Sequence, residues 1–146
     1  MDKELMVQRM FSSAARRYDL NNTVLSFGLH HYWKRYAIDQ ANVKKGGKVL
    51  DVCSGTADIA VLLAKRVGPS GHVTAVDLNP EMLEMGKSKV HKNGLEGRAS
   101  CTLGNAESLQ FGDSRFDAAT VGFGVRNVTD LKKAFSEMYR VIKPGG

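Results

Sequence analysis

The sequence has few cysteines, few prolines and no long apolar run, and each shortage excludes a class of protein. Its 146 residues include two cysteines and three prolines. Cys53 and Cys101 are too few for a disulfide framework and match no CxxC metal motif, so we expect reduced thiols in a cytoplasmic protein. No stretch approaches the roughly 18 apolar residues of a membrane span. Four charged residues among the first ten argue against a secretory signal peptide.

Positive charge is concentrated near the N-terminus of the chain. The net charge is +6, and residues 1–45 carry eight Lys and Arg against four Asp and Glu. A basic segment of this kind is typical of contact with nucleic acid, an anionic membrane surface or an acidic ligand, and equally of a solvated helix face. No basic cluster is interleaved with aromatic residues, so we expect no nucleic-acid partner. Peripheral contact with the inner face of a membrane stays open.

Short apolar segments alternate with helical ones from residue 46 onward. The predicted strands cover 48–52, 72–78, 99–104 and 116–124, and the predicted helices cover 56–67, 80–92 and 131–142. This alternation favours βαβ units with a parallel sheet and helices on both faces. We therefore predict an α/β domain over residues 46–146.

The first 45 residues show no strand pattern and have helical periodicity instead. Apolar residues recur at positions i, i+3, i+4 and i+7, namely Phe11, Ala14, Ala15 and Tyr18. Residues 29–43 are also predicted to be helical, with Tyr32 and Trp33 packing the helix onto the sheet. We predict that residues 1–45 form a helical extension over the edge or mouth of the sheet.

The residues that follow the predicted strands are the first candidates for a binding site, because open α/β sheets bind ligands outside the carboxyl ends of their strands. Asp51 lies at the end of the first strand, and the small residues after it, including Gly55 and Thr56, allow the backbone to approach a ligand closely. Asp77 lies at the end of the second strand, where its carboxylate can accept hydrogen bonds from both hydroxyls of a ribose. Leu78 follows it and is assigned to the same site.

The loop after the first strand lacks the GxGxxG pattern with which dinucleotide-binding proteins hold a pyrophosphate. Gly55 is its one glycine, flanked by Cys53 and Ala57 at small positions. Asp51 and Asp58 would repel a pyrophosphate, which argues against an NAD-linked oxidoreductase. They favour a ligand that combines a ribose with positive charge, as S-adenosylmethionine does with its sulfonium and ammonium groups. Asp58 taken alone is equally explained by the dipole of the helix that it opens.

Polar residues also follow the third and fourth predicted strands. Asn105 and Ala106 come after the third, where an amide or backbone group can bind the adenine edge, although an Asn turn is the simpler explanation. Gly122 lies near the end of the fourth, and Arg126 and Asn127 follow it, in a glycine-rich segment that is a natural wall for an active site. Arg126 has no obvious carboxylate partner in the sequence, so we predict that it contacts a ligand.

Two segments resemble the ubiquinone/menaquinone biosynthesis C-methyltransferases, a family of class I S-adenosylmethionine-dependent methyltransferases. One covers residues 18–26 together with His30 and Trp33, and the other covers residues 140–146. The loops around Thr56, Asn105 and Arg126 lie between them in the family order. Three positions depart from the family pattern: Asn21 stands for a methionine, Ala57 for a glycine and Gly122 for a serine that contacts the cofactor in some members.

The resemblance implies a function and a set of roles. Family members transfer a methyl group from S-adenosylmethionine to a ring carbon of a prenylated quinol, and the cofactor contacts implied here are Thr56, Asp77, Asn105 and Ala106. For that reaction we predict that Arg126 stabilises the quinol phenolate and that Asn127 orients the quinol or a bridging water. Tyr18 is predicted to hydrogen-bond the second ring oxygen. His30 and His31 are candidate bases because imidazole titrates near neutral pH, although a packed helix surface explains either one.

The resemblance also bears on the extent of the domain. It implies a Rossmann-like class I methyltransferase sheet of seven mostly parallel strands, of which this sequence supplies four, so we expect the fifth strand to begin directly after Gly146. We expect the open edge of the fourth strand to be covered by a second copy of the chain, as a homodimer, or by a swapped element. The alternative function is a truncated S-adenosylmethionine-binding domain without full catalytic activity.

Overall fold

The computed structural model describes residues 5–6, 9–10 and 29–146. In chain order its elements are helix α1 (Leu29–Gln40), strand β1 (Lys48–Val52), helix α2 (Asp58–Val67), strand β2 (His72–Asp77), helix α3 (Pro80–Lys92), strand β3 (Ala99–Leu103), strand β4 (Ala118–Val121), a 3-10 helix (Phe123–Asn127) and helix α4 (Leu131–Val141). The predicted alternation of strands and helices after residue 46 is confirmed. The predicted apolar stripe from Phe11 to Tyr18 lies outside the described residues.

The strands form one parallel sheet in the order β3-β2-β1-β4. β1 pairs with β2 on one side and β4 on the other, so Asp51 is flanked by Ala75 and Thr120. The chain moves outward from β1 to β2 and β3, and then returns to the far side of β1 with β4. A reversal of this kind opens a crevice at the carboxyl ends of β1 and β4, where open α/β sheets bind their ligands.

Each face of the sheet has its own hydrophobic core, because side chains alternate along a strand. One core joins α1, α2 and α3 to the sheet and includes Ile38 and Leu63. The other packs α4 against the opposite face and includes Leu50 and Met138. Fully burying a side chain of this size contributes roughly 1.5–3 kcal/mol. The prediction that helices cover both faces is confirmed.

Helices α3 and α4 begin at polar capping residues, as their sequences predict. The Asn79 side chain accepts a hydrogen bond from the backbone N–H of Met82 at 3.0 Å, and Pro80 occupies the first helical position. Asp130 accepts in the same way from the N–H of Lys133 at 3.0 Å. A cap of this kind contributes about 1 kcal/mol. The caps fix where each helix starts relative to the strand or loop that precedes it.

The fourth strand is shorter than the predicted range 116–124. Phe116 makes an isolated parallel bridge with Ile142 and does not extend β4. After Val121 the chain turns into the 3-10 helix, in which the N–H of Val125 donates to the carbonyl of Gly122 at 3.3 Å. The small apolar residues of this segment are compatible with a strand, but the turn at Gly122 redirects them.

Two helix boundaries also differ from the sequence prediction, each because of a left-handed residue. Ala57 has φ +68°, so α2 begins at Asp58 and not at residue 56. Asn42 has φ +49°, so α1 has already ended at Gln40 and does not reach residue 43. The predicted ends at 78, 104 and 142 are one residue too long.

Helix α1 packs on the rest of the molecule through a face that carries Lys34 and Ile38, four residues apart. Ile38 is buried in the core shared with α2. Tyr32 and Trp33 are 65% and 45% exposed. The prediction that Tyr32 packs the helix onto the sheet is therefore wrong, whereas Trp33 is about half-buried and its packing onto the sheet stays a prediction.

Candidate functional site

The loop between β1 and α2 has a backbone that few sequences tolerate. Cys53, Gly55 and Ala57 have φ angles of +54°, +56° and +68°. This left-handed region costs a residue with a Cβ atom about 1–2 kcal/mol. The N–H of Ser54 donates to the carbonyl of Val76 at 2.9 Å, which ties the loop to β2. The loop is therefore held in one shape at the carboxyl end of the sheet.

Asp77 fastens this loop to the end of β2. Its Oδ2 accepts a hydrogen bond from the N–H of Gly55 at 2.8 Å, and its Oδ1 accepts one from the N–H of Asn79 at 2.9 Å. Burial raises the pKa of the carboxyl, and these backbone donors oppose that rise. Each carboxylate oxygen has a further lone pair, so Asp77 keeps acceptors for the hydroxyls of a ribose. Leu78 lies partly exposed at the same rim.

Asp51 is a buried carboxyl near the end of β1 with one oxygen unsatisfied. It is 1% exposed, and its Oδ1 accepts a hydrogen bond from Thr120 Oγ1 at 2.8 Å. Its Oδ2 has no hydrogen-bond partner within the described part of the chain. Burial raises the pKa of Asp51 to about 7, with the Thr120 bond opposing the shift and the charge of Asp77 adding to it. A cationic or hydrogen-donating ligand would satisfy this oxygen, whose isolation costs about 1–3 kcal/mol.

The side chains of Thr56 and Asp58 are bound by lysines from two helices. Lys89 of α3 donates to Thr56 Oγ1 at 2.8 Å and to Asp58 Oδ1, and Lys34 of α1 donates to Asp58 Oδ2 at 2.7 Å. Burial alone would raise the pKa of Asp58, but the two lysines hold it below its ordinary value. Asp58 therefore pairs with protein cations, which favours a structural role. Thr56 is buried, and its hydroxyl is bound by Lys89.

Asn105 and Ala106 form a turn after β3. Asn105 Oδ1 accepts a hydrogen bond from the N–H of Glu107 at 2.9 Å, and Asn105 pairs with Ser108 in an isolated bridge. The Asn turn considered from the sequence is thus present, and the side-chain NH₂ remains the group that can donate to a ligand. Ala106 is buried in the core beside Leu109, so only its backbone can reach a ligand.

The 3-10 helix after β4 lies against residues 53–57, the loop between β1 and α2, which we call the cofactor loop because the sequence predicts cofactor contacts there. A Cβ atom on Gly124 would sit 2.8 Å from the Cβ of Cys53, and one on Gly122 would sit 3.1 Å from Ile59 Cδ1. This close approach places Arg126 and Asn127, on the same short helix, beside the crevice. Arg126 is exposed and Asn127 is partly exposed. That either residue contacts substrate or cofactor stays a prediction.

Two of the predicted catalytic residues, Tyr18 and His30, belong to the N-terminal extension. Tyr18 lies outside the described residues. His30 lies in the first turn of α1, and His31 next to it is exposed. The assignment of a catalytic base remains a prediction.

Three residues that the sequence did not single out hold the site together: Thr120, Lys34 and Lys89. Thr120 could have been found by aligning β4 in parallel register with β1, since it lies opposite Asp51. The two lysines carry no local signal, because their partner Asp58 is 24 and 31 residues away in the chain.

Comparison with known proteins identifies close relatives over the whole chain. The model of the ubiE/COQ5 methyltransferase family matches residues 1–146. The ubiquinone/menaquinone biosynthesis C-methyltransferase UbiE of Pasteurella multocida (strain Pm70) is 47% identical over 145 residues, which are 99% of this chain and 54% of that protein. The UbiE protein of Proteus mirabilis (strain HI4320) is 45% identical over 145 residues, which are 99% of this chain and 58% of that protein. The chain spans about half the length of the curated relatives it matches.

Solved structures share the fold. The YcgJ protein of Bacillus subtilis superposes with a TM-score of 0.73 and 31% identity, covering 78% of this chain and 47% of that one. An S-adenosylmethionine-dependent methyltransferase from Aquifex aeolicus gives a TM-score of 0.69 and 28% identity, covering 76% of this chain and 58% of that one. The fold is that of the Rossmann-like methyltransferases, and the carboxylates at its strand ends suit their cofactor. The chain belongs to the ubiE/COQ5 methyltransferase family, which confirms the resemblance and the fold class that the sequence predicts.

Proposed function

We propose that this chain binds S-adenosylmethionine and acts in a C-methyltransferase that methylates a ring carbon of a prenylated quinol in ubiquinone or menaquinone biosynthesis. Family membership and the names of the relatives support the reaction. The observation that carries the cofactor assignment is the unsatisfied, buried oxygen of Asp51 in a crevice whose other wall includes Asp77. Residues 46–146 hold the cofactor in this proposal, and residues 1–45 form the substrate side.

The residues of the crevice fit the groups of S-adenosylmethionine. Asp51 presents a carboxylate to its positively charged amino-acid end, and Asp77 accepts hydrogen bonds from the ribose hydroxyls. Gly55, with φ +56°, lets the backbone approach the ligand without a clash at Cβ. The proposed contacts are Asp51, Gly55, Thr56, Asp77, Leu78, Asn105, Ala106 and Gly122, with Thr56 and Ala106 contributing backbone groups.

The chemistry requires that the acceptor carbon be made nucleophilic and aligned. When bound, S-adenosylmethionine supplies a methyl group that is already electrophilic. The guanidinium of Arg126 is a cation, so it favours the deprotonated quinol oxygen next to the reacting carbon. Asn127 orients the quinol, Tyr18 hydrogen-bonds its second oxygen, and His30 is the candidate base in the extension.

A methyl-transfer assay tests the reaction. The chain is incubated with S-adenosylmethionine and either reduced demethylmenaquinone or the benzoquinol analogue, and the methylated product is measured by mass spectrometry. Product above the level without protein supports the proposal. Cofactor binding with no transfer to either quinol would mean that this chain provides the cofactor site alone, which is the alternative function.

Replacing Arg126 with Ala tests its role in that assay. We expect turnover to fall by about 10²–10³, as for loss of one group that stabilises developing negative charge, while affinity for S-adenosylhomocysteine stays within about threefold. Arg115→Ala, at an exposed arginine before β4, is the matched control and should leave both quantities unchanged. A loss of cofactor affinity with unchanged turnover would contradict the assignment.

We also propose that the N-terminal third makes a peripheral, salt-sensitive contact with anionic lipid. Its surplus of basic residues supports this contact. Leu29, Tyr32 and Tyr36 of α1 are exposed. Tyrosine side chains such as Tyr32 and Tyr36 favour the membrane interface. No helix in the described part of the chain is long and apolar enough to cross a bilayer. Co-sedimentation with anionic vesicles should occur at low salt and be lost at high salt, and a chain that stays in the supernatant at low salt contradicts the proposal.

The outer edge of β4 is proposed to be covered by a second copy of the chain or by a swapped element. Among the described residues the sheet ends at β4, which pairs with β1 alone. An unpaired edge is a template for another strand. Light scattering after size-exclusion chromatography should show a dimer, and a stable monomer at micromolar concentration contradicts this proposal.

A further inference from the structure

A cluster of four side chains joins three elements beside the cofactor loop. It consists of Lys34 on α1, Thr56 in the loop, Asp58 in the first turn of α2 and Lys89 on α3. Both carboxylate oxygens of Asp58 accept from a lysine, and Lys89 reaches on to Thr56 Oγ1 at 2.8 Å. Neither lysine takes part in the proposed methyl transfer. The cluster nevertheless connects the proposed substrate side of the molecule to the proposed cofactor side.

The link between Lys34 and Asp58 is shielded from water. Their side chains are 11% and 22% exposed, and the two atoms are 2.7 Å apart. Exposed ion pairs contribute about 0–1 kcal/mol, whereas the attraction between two charges is stronger and less screened by salt where water is excluded. Lys34 is on the same face of α1 as Ile38, which is buried against α2. The position of α1 is therefore tied to the position of Asp58.

Asp58 is in turn rigidly connected to the backbone of the loop. It follows Ala57, whose φ of +68° leaves little freedom for the peptide between them. The N–H of Ala57 donates to the carbonyl of Ser54 at 3.0 Å, which closes the loop on itself. A displacement of Asp58 would thus move residues 54–57, the segment proposed to meet the cofactor.

A second ion pair between the same two helices offers a comparison. Arg66, in the last turn of α2, pairs with Asp39 of α1. These side chains are 40% and 60% exposed, and the pair is at the opposite end of α2 from the loop. It can hold the helices together without any influence on the cofactor loop.

We propose that Lys34 is a positioning residue that latches α1 to the cofactor loop through Asp58, so that docking of α1 and occupation of the loop by ligand favour each other. The inference rests on the proposed cofactor site. Linkage requires the effect to be reciprocal: a ligand at the loop stabilises α1 as much as a docked α1 strengthens ligand binding. Lys89 keeps Asp58 paired when Lys34 is absent, so a Lys34 variant does not strand the carboxylate.

The test compares Lys34→Met with Arg66→Met in the full chain. Methionine keeps an unbranched apolar stem in place of each side chain and removes the charge. Titration calorimetry with S-adenosylhomocysteine should show about tenfold weaker binding for Lys34→Met, a coupling of ordinary size. Arg66→Met should bind within about twofold of the unchanged chain, and Lys34→Arg should restore binding to within about threefold. Circular dichroism confirms that each variant is folded.

Hydrogen exchange supplies the second readout. In the ligand-free chain, amides of residues 53–57 should exchange faster in Lys34→Met than in Arg66→Met, and S-adenosylhomocysteine should slow exchange in α1 only where Lys34 is intact. Equal affinity and equal loop exchange in the two methionine variants would overturn the latch. If the unchanged chain does not bind S-adenosylhomocysteine, the proposed cofactor site fails, and ligand-free loop exchange alone then decides whether Lys34 holds the loop.

Discussion

At the scale of single residues, the site depends on two carboxylates whose positions are readable from the sequence and whose environments are not. Asp51 and Asp77 stand out because each is an acidic residue at the end of an apolar, β-branched segment. The burial of Asp51 depends on Thr120, which lies 69 residues away in the chain. Only the return of β4 beside β1 brings the two together. No local sequence pattern indicates that burial raises the pKa of Asp51 to about 7.

The raised pKa of Asp51 predicts how stability depends on pH. Because the pKa rises from 3.8 to about 7 on folding, the folded chain keeps a proton that the unfolded chain releases in that window. The contribution of this residue to the free energy of unfolding therefore falls as pH increases from about 4 to 7. Asp51→Asn removes the titration, and its Oδ1 can still accept from Thr120. We expect the substitution to raise the Tm at pH 8, by about 2–4 °C for each kcal/mol by which it relieves the buried charge in a chain of this length.

The control for this prediction is the same pair of proteins at pH 4.5. There Asp51 is protonated in the folded chain, so the difference in Tm should shrink to less than half of its value at pH 8. A difference that is equal at both pH values, measured by calorimetry, would contradict a pKa that folding raises to about 7.

Ala57 and Ala60 provide a matched pair for the strain in the loop. Both are fully buried, but Ala57 has φ +68° and Ala60 is inside α2. For Ala57→Gly, relief of about 1–2 kcal/mol of left-handed strain offsets the lost methyl contact and the added entropy of the unfolded chain. We expect its free energy of unfolding to stay within about 0.5 kcal/mol of the original.

Ala60→Gly has no strain to relieve and should lose about 1.5–2 kcal/mol in urea denaturation. If both substitutions destabilise the chain equally, the left-handed backbone at Ala57 is not strained. The family that the sequence resembles commonly has a glycine at position 57, which is consistent with the expectation that Ala57→Gly leaves the stability almost unchanged.

At the scale of elements, prediction succeeded where the sequence marks a boundary and failed where packing sets it. β1 was predicted at its observed limits because Gly46 and Gly47 precede an apolar run. α3 and α4 start as predicted because Asn79 and Asp130 cap them. β4 was predicted five residues too long in total, two before Ala118 and three after Val121, where the turn at Gly122 redirects the small apolar residues.

The contact between the 3-10 helix and the cofactor loop gives a prediction of its own. A Cβ atom at Gly124 would be 2.8 Å from Cys53 Cβ and 3.1 Å from its carbonyl oxygen, so Gly124→Ala must push the two segments apart. We expect a loss of about 1–3 kcal/mol in unfolding free energy and weaker S-adenosylhomocysteine binding. Gly97→Ala, where no atom lies within 4 Å of the added Cβ, is the control. An unchanged stability and affinity for Gly124→Ala would mean that the two segments are not in contact.

At the scale of the whole molecule, the order of the strands creates the site. The sequence predicts βαβ units, and the reversal between β1 and β4 brings the ends of distant segments together at one crevice. The extension reaches this crevice from outside the sheet, through α1 and Lys34. The chain spans about half the length of its curated relatives, so the cofactor site is the part of their function that it can be tested for most directly.

The central claim is that the crevice binds S-adenosylmethionine through Asp77, and titration calorimetry with S-adenosylhomocysteine tests it. This ligand keeps the ribose, the adenine and the amino-acid group. The unchanged chain should bind it, and so should Asp113→Ala, which removes an exposed carboxylate from the loop before β4. Asp77→Ala should weaken binding about a hundredfold. It removes the carboxylate proposed to accept two hydrogen bonds from the ribose hydroxyls, and it also removes the hydrogen bond from the N–H of Gly55 that holds the loop. Equal affinity in Asp77→Ala and the unchanged chain would contradict the account.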